Sequence, residues 1–235
     1  MATERPNGEP AAQPPDPGGV LGVLARVCRD ATERLSAAGS GISMLTEGGA
    51  RGVSTASTGW IHHVEDLQFL FGEGPCVDAF ARGRPVLIAD LSLAAIRWPV
   101  YVPAARAAGI QAVFAFPLQV GAACFGVLDV FRARTGPLTS AEITAAFLVV
   151  DDAVEVVLDY LDGSAGRDGT GGALADIGDR AQVYQAQGMV MVQLGISLAD
   201  ALVRMRAHAY AEGLRLDDVA GSIVNRTLAF EPDTR

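Results

Sequence analysis

The chain has 235 residues, a net charge of −9 and no lysine, since all 18 basic residues are arginine. That excludes the lysine-dependent chemistries: P-loop NTPase, protein kinase and Schiff-base enzyme. Half of the residues are hydrophobic and 19% are charged, so most of the chain should fold into one or two domains. No segment holds the basic excess that marks a non-specific nucleic-acid binder. Cys28, Cys76 and Cys124 are odd in number and far apart, with no CxxC or Cys/His cluster. Neither a metal site nor a disulfide framework is expected, and a reducing cytoplasm fits.

Residues 1–19 hold five prolines and little that is apolar, and should be a disordered arm. Val20, Leu24, Val27, Ala31 and Leu35 recur at helical spacing and predict a helix over residues 20–38, stopped by Gly39 and Gly41. Strands follow at 42–45 and 52–56 around Gly48-Gly49, then a short helix over 60–71. The turn Gly72–Cys76 leads into another helix, with Pro75 suited to its first turn. Residues 85–91 read as a strand and 96–108 as partly helical. The uncharged stretch 107–128 is long enough to cross a bilayer, but Gln111, Pro117, Gln119, Gly121 and Gly126 interrupt it. It reads as two buried strands, 110–118 and 124–131, with no membrane partner. Strands interleaved with helices predict an α+β fold around an antiparallel sheet.

Thr139 and Glu142 form a capping box before Ile143, Phe147, Val150, Val154, Val157 and Leu161, a heptad seam that suits either the helix's own sheet or a second copy of the chain. Five glycines in residues 163–172 mark a linker and the domain boundary. Three helices follow: 174–194, a second capped by Ser197 and ended by Gly213, and a third from Asp217. Together they make a small bundle. Gly188 interrupts the first of them, and with Ala186 should let another helix approach closely.

Residues 180–230 resemble an ANTAR domain through Val183, Gln185-Ala186, Gly188 and Met191, then Ala201, Met205-Arg206 and Ala209, then Val219-Ala220 and Ile223-Val224. The resemblance implies a transcription antitermination module that binds RNA, with paired hairpin loops held by a homodimer. Gln187 stands where many members carry lysine. Residues expected at the RNA surface are Arg180, Tyr184, Gln187, Arg204, Arg206, His208 and Arg226; arginine suits both phosphate pairing and base stacking.

Residues 20–162 resemble a GAF domain through Gly72–Cys76, residues 85–91, Trp98-Pro99, Pro117-Leu118 and Phe125–Leu128. The resemblance implies a sensor or dimerisation domain, with room for a small-molecule ligand and with Cys76 as the ligand-sensing candidate. The expected architecture is therefore a GAF-like domain over 20–162, a linker over 163–172 and an ANTAR-like bundle over 173–230. His62-His63 point about 100° apart on a helix and do not suggest a shared metal. No constellation suggests catalysis, so a cytoplasmic, cofactor-free, non-enzymatic regulator is expected. The competing readings are a helix-turn-helix DNA binder and a protein-interaction module.

Overall fold

The computed structural model describes residues 19–45, 51–165 and 181–231. The N-terminal arm, the Gly48-Gly49 turn, Arg180 and the expected linker beyond residue 165 lie outside them.

The sheet comes first, because every helix of the larger domain is placed by it. Its strands are β1 (Gly39–Leu45), β2 (Arg51–Ala56), β3 (Val86–Ile88), β4 (Ala112–Val120) and β5 (Ala123–Arg132). Their order is β2-β1-β5-β4-β3 and every pairing is antiparallel. Both faces are covered, so β4 and β5 are mostly apolar up to Leu128, which is why residues 107–128 resemble a membrane span. Period-2 alternation sorts them. Phe114, Phe116, Leu118, Leu128 and Val130 face α1 (Val20–Arg34) and α5 (Ser140–Ala165). Val113, Ala115, Val127 and Phe131 face α2 (Gly59–Phe71), α3 (Pro75–Arg82) and α4 (Tyr101–Ala107). Val150, Val154 and Val157 of the heptad seam pack on the first of these layers, while Phe147 remains 46% exposed.

Three boundaries differ from the sequence reading. The first helix ends at Arg34, where Leu35 leaves helical geometry and the chain turns into β1. The strand read over 85–91 shortens to Val86–Ile88, because the Asp90 carboxylate accepts the Ser92 N–H at 2.9 Å and starts a 3-10 turn, Leu91–Ala94. The last helix of the domain runs to Ala165, so Gly163, Ser164 and Ala165 are helical rather than linker.

The second unit is α6 (Ala181–Leu194), α7 (Leu198–Glu212) and α8 (Leu216–Val224) around a core that includes Val183, Val190, Leu202, Met205, Val219 and Ile223. Ser197 caps α7 by accepting the Asp200 N–H at 3.1 Å, and Gly213 ends it in the left-handed region.

One buried guanidinium ties three elements of the larger domain together. Arg132, 3% exposed at the end of β5, donates to the Leu35 carbonyl at 2.6 Å and pairs with Glu142 at the start of α5. Glu142 completes the capping box: it accepts the Thr139 N–H at 2.7 Å, and Thr139 Oγ1 accepts the Glu142 N–H at 3.2 Å. The Thr139 N–H, with help from the Thr139 hydroxyl and Arg132, holds the Glu142 carboxyl below the ordinary glutamate range. A lowered folded-state pKa contributes stability above the unfolded value, about 4.3, and loses it as pH falls through the folded value. Glu142→Gln should therefore lower the melting temperature near neutrality, with the gap narrowing as pH falls below about 4.3. An unchanged gap across that range would remove Glu142 ionisation as the cause.

Candidate functional site

The turn Gly72–Cys76 organises the face of the sheet that α2–α4 cover. Gly72 ends α2 in the left-handed region, and Pro75 opens α3. Glu73 reaches across to accept the Val100 and Tyr101 N–H groups at 2.6 and 2.7 Å, and so starts α4. Gly74, at φ +135°, leaves space for Gln68, since a Cβ there would lie 2.5 Å from Gln68 Oε1. Gln68 uses that space in two directions. Its Oε1 accepts the Cys76 N–H at 2.8 Å, and its Nε2 donates to Asp129 Oδ2 at 3.0 Å.

Asp129 sits on β5 between Val127 and Phe131, fully buried, opposite Gly41 on β1 and Ala115 on β4. These small neighbours open the sheet face beside it. Glu65 of α2 fills the opening, because a Cβ on Gly41 would stand 2.7 Å from its Oε1. The Ser43 hydroxyl donates to Glu65 Oε2 at 2.9 Å. Ligand atoms of Glu65, Cys76 and Asp129 all lie within 4.8 Å of one another. Burial pushes the Asp129 carboxyl well above the carboxylate range, and the adjacent Glu65 adds to the shift. A cavity of about 210 Å³ borders the cluster, lined in part by Ser43, Glu65, Gln68, Phe69, Cys76 and Arg206. Of this cluster only Cys76 was singled out from the sequence. Asp129 falls within the strand 124–131 read as buried, and that charge in an otherwise apolar strand was the available signal.

The expected RNA residues are spread over the bundle. Arg204 is exposed and His208 half-buried one turn further along α7, where His208 meets the Phe230 ring edge-on at 5.5 Å. Tyr184 is half-buried against the bundle core. Arg226 is exposed beside a groove that it shares with Gln185, Gly188, Gln193 and Ile223. Gln187 does not reach the surface: it is 1% exposed, and its Nε2 donates to the Leu198 carbonyl at 2.6 Å. Its amide joins α6 to the start of α7, which corrects the expectation of an RNA contact. Gly188 also departs from expectation. No described atom beyond its own helix and chain neighbours lies within 4 Å of where its Cβ would be, so no helix among the described residues exploits the missing side chain.

Arg206 lies about 200° around α7 from Arg204 and faces the larger domain. Its guanidinium stacks over Phe69 of α2 at 4.9 Å and lines the cavity above Cys76. Its Nε finds no hydrogen-bond partner, and burial lowers its pKa to about 10, so it remains charged at neutrality. One turn on, Tyr210 meets Phe71 edge-on at 5.9 Å, and Arg215 approaches Asp66 at 3.7 Å. A cleft of about 340 Å³ between α2 and the bundle leaves this dock incompletely filled. The bundle thus rests on α2, the helix that supplies Glu65 and Gln68.

The GAF domain family model matches residues 20–157, and the ANTAR domain model matches residues 174–224. A comparison with curated proteins finds no match. Among solved structures, a domain of a two-component sensor histidine kinase protein from Sinorhizobium meliloti is similar at 15% identity and TM-score 0.51, over 64% of this chain and 99% of that one. The GAF domain of a phosphoenolpyruvate-protein phosphotransferase from Coxiella burnetii matches at 13% identity and TM-score 0.46, over 63% of this chain and 88% of that one. Free methionine-R-sulfoxide reductase from Neisseria meningitidis matches at 16% identity and TM-score 0.43, over 59% and 79%. At these identities the first likeness bears on fold alone. Among the described residues no single helix is long and apolar enough to cross a membrane.

The dock makes a measurable claim. In a double-mutant cycle on denaturant unfolding, Phe71→Leu and Tyr210→Leu should couple by about 0.5–1.5 kcal/mol, the range for an edge-on aromatic pair. Zero coupling would mean that the two domains do not share this contact in solution.

Proposed function

The chain belongs to the GAF domain family, and on that premise we propose that it is a non-catalytic, cytoplasmic regulator of transcription antitermination whose bundle binds RNA hairpins under control of the GAF domain. ANTAR domains are RNA-binding antitermination modules, and this chain carries the match in residues 174–224. The observation that carries the reading is Gly188. A glycine in a helix interior costs about 1 kcal/mol relative to alanine. The fold offers no close contact in return, because the position opens onto the groove bordered by Gln185, Gln193 and Arg226. Two exposed amides and an arginine around a helix face without side-chain cover suit close approach of an RNA backbone or base. A duplex-DNA reading is less well served, since α8 begins with Asp217 and Asp218, which would meet phosphate of like charge.

Control runs through the dock and through pairing. While the bundle rests on α2, Arg206 serves Phe69 and is withheld from RNA. A signal that loosens the dock shifts the population toward bundles with Arg206 exposed. On the opposite layer α5 leaves Phe147, Leu148 and Leu158 exposed, an apolar face offered to a second copy of the chain. Two bundles brought together hold two hairpins, and the second contact becomes intramolecular. That gain replaces the basic excess that the composition lacks.

Gly188→Ala separates folding from binding. The variant should melt at a higher temperature, by up to about 1 kcal/mol of added stability, yet bind a two-hairpin RNA at least about tenfold more weakly, the equivalent of one lost close contact. Unchanged affinity would remove the groove from the interface. Failure of the unsubstituted chain to bind such RNA at low salt would overturn the function.

A further inference from the structure

The cluster at the centre of the GAF domain has the layout of a metal site. Glu65, Cys76 and Asp129 supply two carboxylates and a thiol whose ligand atoms fall within 4.8 Å of one another. They come from α2, α3 and β5, so three elements converge on the spot. Each is at most 4% exposed. The partners behind them are those that orient metal ligands: Ser43 Oγ holds Glu65 Oε2, and Gln68 Nε2 holds Asp129 Oδ2 while Gln68 Oε1 fixes the Cys76 backbone. Each carboxylate thus has one oxygen held from behind. The Asp129 carboxyl also pairs with the Glu65 carboxyl and with the Cys76 thiol, so the three groups face one another, and the fully buried Tyr101 hydroxyl of α4 has no hydrogen-bond partner. Tyr101 and Cys76 belong to the same buried layer. Two carboxyls and a thiol turned toward one another in a buried layer, with an unpartnered hydroxyl in the same layer, mark a place that a cation can occupy in exchange for protons.

We propose that Glu65, Cys76 and Asp129 bind one divalent transition-metal ion of the zinc class. The donor chemistry selects the class. Thiolate favours zinc and its neighbours over magnesium and calcium, which take oxygen alone. An ion about 2.0–2.3 Å from each donor needs the donors about 3.3–3.8 Å apart, so closure asks for roughly 1 Å of side-chain movement. Binding displaces the thiol proton of Cys76 and any proton that the two carboxyls share, with no change of oxidation state. Three protein donors leave a fourth position. Glu65 and Cys76 also line the 210 Å³ cavity, whose outer wall includes Arg206, so the open side of the ion faces the junction of the two domains. The sequence hides the site because its ligands fall at positions 65, 76 and 129, with no short motif.

The test uses the full-length, tag-free chain stripped with a chelator and titrated with Co2+ as the spectroscopic probe. One equivalent should produce visible ligand-field bands and a near-ultraviolet thiolate-to-cobalt charge-transfer band. Zn2+ should then displace the probe. Cys76→Ser should abolish the charge-transfer band, and Gln68→Leu should weaken binding about 10–100-fold, as loss of an outer hydrogen bond does. Absence of the band in the unsubstituted chain, or its survival in Cys76→Ser, would overturn the site. Should the variants misfold, cysteine alkylation of the unsubstituted protein decides: Zn2+ should slow modification of Cys76 and leave the partly exposed Cys124 unaffected. Equal rates at Cys76 with and without Zn2+ count against it.

Discussion

Two carboxyl groups, Glu65 and Asp129, lie beside each other inside an apolar layer, and most of the local architecture exists to make that tolerable. Two adjacent buried charges of one sign cost several kcal/mol unless a proton, a donor or a cation stands between them. The sheet makes room by placing Gly41 and Ala115 opposite Asp129. Gln68 and Ser43 supply donors from behind. Gly74 has no side chain so that Gln68 can reach both Asp129 and Cys76. The turn Gly72–Cys76 is thus the frame of a polar centre as well as a connection between two helices, and Glu73 extends the frame to α4.

The same helix faces both ways. Glu65 and Gln68 look from α2 into the sheet, while Asp66, Phe69 and Phe71 meet the bundle. Any change of charge at the centre that moves α2 is felt at the dock. The dock is also finely balanced. A cation–π contact adds about 0.5–2 kcal/mol and an edge-on ring pair about 0.5–1.5. Against them stands a half-buried guanidinium with an unpartnered Nε and a cleft that packing does not fill. Elements held this weakly are the ones that open at little cost.

Much of the framework was legible because it rests on local chemistry. The Thr139–Glu142 box, the Pro75 start, the Gly213 stop and the β4–β5 strand pair each declare themselves within a few residues. The centre did not, because its meaning lies in long-range placement. Asp129 lies in a strand that reads as buried, but nothing near it in sequence names Glu65 or Cys76 as its neighbours. Pairing with Gly41 and Ala115 reveals the room that Glu65 fills beside it. Gln187 shows the reverse case. It is expected at the RNA surface, whereas the fold uses its amide to hold the Leu198 carbonyl. Arg206 was legible as a polar residue at the edge of a buried line, but its partner Phe69 is 137 positions away, and nothing in helix periodicity names it.

A weak dock is enough to control a paired binder. Under the proposed function each bundle must leave α2 before it presents its full surface, and a dock of about 1.4 kcal/mol lowers the apparent affinity of one bundle about tenfold. In a dimer holding two hairpins the cost is met twice, so the paired complex is weakened about a hundredfold. A chain with no lysine and a net charge of −9 has little non-specific attraction to RNA with which to mask that difference. Under the proposed function the sparse cationic surface and the dock belong together: a strongly basic bundle would hold RNA whatever the GAF domain did, whereas this one would respond to its contact with α2.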